Sequence, residues 1–91
     1  MDLYDFKNMG HSGFENVRIV DTKGYENGAD EEAYVLFEGD LDDAHEALDY
    51  LEITSIDVYV GEDGNIIATI DVDGASEETY AELEKPYPFA E

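Results

Sequence analysis

The sequence predicts an α+β fold: one two-layer domain over residues 1–91, an antiparallel sheet of about four strands with two helices on one face, in the order ββαββα. Three observations carry that expectation. Four segments are rich in β-branched and aromatic residues. Two others set apolar residues at helical spacing behind a capping residue. Glycines, a proline and acidic turns mark the boundaries between them.

Leu3, Tyr4 and Phe6 leave two options open, a short edge strand or a segment docked on the core. Gly10-His11-Ser12-Gly13 is a turn by composition. Phe14 to Asp21 forms the first strand through Val17, Ile19 and Val20, and a polar connection with Gly24 and Gly28 runs from Thr22 to Glu32. Ala33 to Glu38 is the second strand. Gly39-Asp40 then opens a helix: Asp40 is its N-cap, and Asp42 and Asp43 suit the positive end of its dipole. Leu41, Ala44, Leu48 and Leu51 define its buried face.

Ile53 to Val60 and Ile66 to Val72 form a hairpin whose register follows from the apolar pattern. A two-residue Asp63-Gly64 turn pairs Val60 with Ile67 and Ile56 with Asp71, mixing apolar and charged side chains on the inner face. A three-residue loop, Glu62-Asp63-Gly64, with Gly64 left-handed, pairs Val60 with Ile66, Val58 with Ala68, Ile56 with Ile70 and Thr54 with Val72. That register gives one apolar face for burial and leaves Asp57, Tyr59, Ile67, Thr69 and Asp71 outside. Ser76 caps a last helix, Glu77 to Lys85, which buries Tyr80 and Leu83 and stops at Pro86. Tyr87-Pro88-Phe89 is apolar enough to pack back on the sheet.

Composition narrows the function. There are 25 Asp and Glu against four Lys and Arg, a formal net charge of -21. A compact state with that charge is opposed by its own field, so salt, bound cations or a cationic partner must offset it. Such acidity is a mark of disorder, but 43% hydrophobic residues, seven Tyr and four Phe supply a modest core. The absence of cysteine excludes disulfides and thiolate metal sites and fits an intracellular, cytoplasmic protein. Met1 to Val20 has no apolar h-region, and no run is long enough for a membrane span. Direct nucleic-acid or anionic-membrane binding is disfavoured because phosphate contact needs clustered cations.

Enzymatic signals are weak. The acids are so numerous that glycosidase-like pairs occur at every spacing. His11-Ser12 lacks a nucleophile elbow, and His45 reads as a boundary residue of the helix. Asp71-Val72-Asp73-Gly74 begins like a calcium loop, but Ala75 takes the fifth position and the glycine is misplaced. It reads as a turn. No catalytic residue, metal site or cofactor is expected.

The placement of the acids is the sharper signal. Asp42, Glu46 and Asp49 follow i, i+4, i+7 spacing, and no Lys or Arg occurs between Lys23 and Lys85. Solvated helices usually intersperse both signs, because like pairs repel at this spacing. Glu78 and Glu82 repeat the theme on the last helix, and Asp57 and Asp71 on the outer sheet face. Rows of carboxylates at such spacing imitate a polyanion, while Tyr50 and Tyr59 add apolar area with a hydrogen-bonding tip. The expected partner-binding residues are Asp42, Asp43, Glu46, Asp49, Tyr50, Asp57, Tyr59, Asp71, Glu78 and Glu82.

In size, acidity and freedom from cysteine the chain resembles the anti-restriction and anti-CRISPR inhibitors of phages and mobile elements, a convergent class of acidic DNA mimics. The resemblance covers composition and charge layout and carries no site residues with it. It implies a non-enzymatic inhibitor that blocks the basic DNA- or RNA-binding groove of a host defence enzyme, a nuclease or CRISPR effector, in the cytoplasm of an infected or host bacterial cell. An immunity protein or antitoxin against a basic toxin nuclease needs the same electrostatics. A halophilic domain whose acidity serves only solubility is the third option. Oligomeric state is left open by the sequence.

Overall fold

Val17, Ile19, Val20 and Asp21 are all buried, so β1 (Val17–Asp21) has neighbours on both faces and takes an interior place in the sheet. The structure is a computed structural model and describes residues 1–8, 16–27 and 31–88. Four strands, β1, β2 (Val35–Gly39), β3 (Glu52–Val60) and β4 (Ile66–Asp73), lie in the order β2-β1-β4-β3. The protein is therefore α+β with a four-stranded sheet.

The sheet is mixed, not antiparallel as expected. β1 runs antiparallel to β2, but it pairs in parallel with β4, with Val17 opposite Ala68 and Ile19 opposite Ile70. The cause is the connection after β2. The chain crosses from one edge of the sheet to the other before entering β3, and the hairpin then returns β4 to the centre in the direction of β1.

The hairpin keeps the three-residue loop and the pairs Val60–Ile66, Val58–Ala68 and Ile56–Ile70, with Gly64 at φ 84°. The Thr54–Val72 pair does not form: a bulge at Thr54 puts Ile53 opposite Val72 and Ser55 opposite Asp71. The apolar face is also not buried throughout, since Ile56, Val58, Val60 and Ile66 are exposed beyond the helical layer.

The expected helix after Asp40 is replaced by two 3-10 turns, Leu41–Asp43 and Glu46–Leu48. Side chains compete with the helix here. The Asp40 carboxylate accepts from Asp42 N at 3.0 Å, His45 Nδ1 accepts from Ala47 N at 3.0 Å, and Ala44 between them is extended. Repulsion along the acidic face further weakens a continuous helix. The expected apolar positions are nevertheless all buried: Leu41, Ala44, Leu48 and Leu51 join Val17, Ile19, Ala68, Ile70 and Val72 in the main core. Each fully buried leucine there contributes about 2 kcal/mol relative to an exposed one.

α1 (Leu3–Lys7) reconciles the two options for the N-terminal segment. Asp2 forms a single bridge to Glu52, then caps α1 by accepting from Asp5 N at 2.8 Å, and Leu3 and Phe6 dock on the core. The second strand starts later than expected, because Ala33 and Tyr34 belong to α3 (Glu31–Tyr34). α2 (Lys23–Asn27) lies in the connection read as polar. Tyr34 packs with Val20 and Val35 on the side of the sheet away from the main core, so helices are not confined to one face. Gly24 is needed for this, since a Cβ there would fall into the Tyr34 ring.

α4 (Glu77–Glu82) is shorter than the expected Glu77–Lys85. Ser76 and Thr79 form its capping box, and Glu84 ends it in the left-handed region at φ 58°. Tyr80 is fully buried, Leu83 packs on the core, and Tyr87 meets the Tyr80 ring edge-on at 5.1 Å. The Gly10–Gly13 turn, Phe14, Gly28 and Phe89 lie outside the described residues. Among the described residues no helix is long and apolar enough to cross a membrane.

Candidate functional site

Tyr80 fixes the position of α4. Its hydroxyl donates to the buried Asp21 carboxylate at 2.7 Å, tying the helix to the end of β1. Burial, and then the hydrogen bond to Asp21, raise this phenol well above its ordinary pKa. Asp21 also accepts from the backbone N–H of Lys23 at 3.0 Å. With Tyr80 turned inward, Glu78 and Glu82 two residues to either side are exposed.

Facing them is the second 3-10 turn. Leu48 anchors it in the core, while Glu46 and Tyr50 are exposed. α1 closes the third side: Tyr4 N donates to Asp49 O at 3.0 Å, and Lys7 Nζ binds both Asp49 Oδ1 at 2.7 Å and Ala44 O at 3.0 Å. These three segments enclose an open groove of about 790 Å³. Five carboxylates line it, from Asp2, Glu46, Asp49, Glu78 and Glu82, together with Tyr4, Tyr50 and His45. Tyr50 is 87% exposed and Tyr4 56%, an unusual display for large rings.

The structure thus brings together Glu46, Asp49, Tyr50, Glu78 and Glu82, five of the residues expected from the sequence. Asp49 is ion-paired with Lys7 at 2.7 Å. Asp42 and Asp43 are exposed on the first 3-10 turn, outside the lining of the groove. Asp57, Tyr59 and Asp71 point to the opposite face of the sheet. There Asp71 accepts from Ser55 Oγ at 2.6 Å and from Tyr25 OH at 3.1 Å, which ties it into the fold. Tyr59 borders a second hollow with the Arg18–Glu38 ion pair.

Sequence reasoning missed Asp2, Tyr4 and His45. Asp2 carried a signal, an N-cap spaced three residues before Asp5. Tyr4 had none, because its place depends on how α1 docks. His45 is exposed and caps the second turn, its Nδ1 accepting from Ala47 N. Among the described residues no group of three or more His, Asp or Glu side chains is arranged to hold a metal ion. The chemistry available is multivalent acceptance of hydrogen bonds and ion pairs, with two phenol rings for stacking.

No family model matches the chain, and neither a curated protein nor a solved structure is significantly similar to it.

Proposed function

We propose that this protein is a non-enzymatic inhibitor that imitates nucleic acid and blocks the cationic DNA- or RNA-binding groove of a host defence enzyme, a nuclease or CRISPR effector, inside a bacterial cell. The observation that carries the reading is the acidic groove, where carboxylates from three separate segments surround two exposed tyrosines. Of the four basic residues of the chain, three are engaged within the fold, and of these Lys7 alone pairs with a carboxylate of the groove. Lys7 is held by Asp49 and Ala44, Arg18 pairs with Glu38, and Lys23 Nζ donates to Ala75 O at 2.7 Å. Arg and Lys side chains shaped to hold phosphates would find carboxylates at the groove and phenol rings for cation–π contact. Long-range attraction would speed encounter at low salt.

The test is affinity capture from a bacterial lysate at low and then high salt, with the native chain and a Glu46→Lys/Glu78→Lys/Glu82→Lys variant. The native chain should retain a basic nucleic-acid enzyme at low salt, release it at high salt, and lose it to added duplex DNA or RNA. The variant should retain none and stay folded by circular dichroism. Unchanged capture by the variant would sink the assignment of this groove.

A further inference from the structure

β3 is the outermost strand, and most of its outer edge is open. Ile53 N donates to Met1 O at 2.8 Å and Asp2 bridges Glu52, but from Thr54 to Val60 the edge pairs with no described residue. The direction of its backbone groups follows from the ladder. Ala68 N donates to Asn16 O at 3.0 Å, away from β3, so its opposite residue Val58 sits in a non-hydrogen-bonded pair. At the hairpin end Gly61 N donates to Asn65 O at 2.7 Å, in the same phase. The N–H and C=O groups of Ile56, Val58 and Val60 therefore point outward.

Their side chains are exposed as well: Ile56 by 38%, Val58 by 55% and Val60 by 68%. Unpaired backbone groups and apolar side chains thus coincide at three positions. Open edges are commonly guarded by Lys or Pro, and none occurs between Ile53 and Val60. The single charge in that stretch is Asp57, on the other face beside Tyr59.

We propose that the outer edge of β3 accepts an extended segment of the cationic partner as an added strand, with apolar residues alternating with Lys or Arg. This rests on the reading of the partner as a basic protein. Charge selects the occupant. A second copy would bring a further net charge of -21 against the edge, so like-charge repulsion opposes self-pairing. An alternating basic strand lays its apolar side chains against Ile56, Val58 and Val60. Its cations then fall on the other face, beside the Asp57 carboxylate and the Tyr59 ring.

The probe is a blocked peptide of alternating valine and lysine, titrated at low salt into the isotopically labelled full chain, beside the same peptide with N-methylated valines. The first peptide should shift the amides of Ile56, Val58 and Val60 and slow their hydrogen exchange. N-methylation should weaken binding roughly tenfold by removing strand hydrogen bonds. Val58→Pro, which removes an outward N–H, should weaken the first peptide similarly; the methylated peptide asks the same question of the unaltered chain. Equal binding of both peptides, with shifts confined to Glu46 and Glu78, overturns the edge and spares the cationic reading. No binding of either overturns both. Amides of Ile56, Val58 and Val60 already protected in the free chain, by its own segments or a second copy, overturn the edge as an open site.

Discussion

Among the described residues, the buried carboxylate of Asp21 depends on one side chain from far along the chain. Tyr80 OH supplies a hydrogen bond at 2.7 Å that the apolar core could not replace. Tyr80→Phe should cost about 2 kcal/mol, since it leaves a buried acceptor short of a donor, and urea denaturation at neutral pH measures it. Alkaline pH supplies a second readout. Folding raises the Tyr80 pKa above its ordinary value of 10.0, so the folded state keeps a proton that the unfolded state releases. This contribution is fully present below about pH 10 and is lost as the pH rises further. The native chain should lose stability there more steeply than Tyr80→Phe. Tyr80 was legible as a core position from the spacing in α4. Asp21 was not: one acid among 25 reads as solvated unless its partner is known.

The elements differ in how openly their sequences announce them. The hairpin register was legible down to the bulge, because slipping β3 by one residue would exchange its apolar and polar faces. The bulge was not, since Ile53, Thr54 and Ser55 include no glycine or other residue that marks one. In the segment from Asp40 to Leu51 the apolar spacing located the buried residues but not the geometry. Asp40 and His45 satisfy local backbone donors and cut the helix into two turns. α4 ends in a different conflict. Lys85 N donates to Tyr80 O at 2.9 Å, which requires Glu84 to adopt φ 58°. Glycine takes that conformation without a Cβ penalty, so Glu84→Gly should raise stability by about 1 kcal/mol. Thermal unfolding is the check, and a lower midpoint would contradict the assigned strain.

Across the whole molecule the acidic layout was only half legible. Charge and spacing pointed to Glu46, Asp49, Tyr50, Glu78 and Glu82, but not to their convergence around one groove, which depends on how α1 and α4 dock. Asp57 and Asp71 lie across the sheet from that groove, on the face that the hairpin register assigns to them. Net charge sets a prediction at this scale. Repulsion within a chain of charge -21 should make the thermal midpoint rise by several degrees from about 0.05 M to 1 M salt, as the screening length shortens from more than 10 Å to about 3 Å. A mimic working in a mesophilic host should already be folded at about 0.1 M; unfolding there would favour the halophilic reading. The parallel pairing at the centre of the sheet has a kinetic consequence. Ile19 meets Ile70 across half the chain, whereas β3 and β4 are joined by a short loop. Closing the longer loop costs more entropy before its contacts reward it, so the hairpin should assemble early and β1 dock late. During synthesis β1 can meet β2 soon after both emerge, but its parallel seam with β4 must wait until the hairpin has followed.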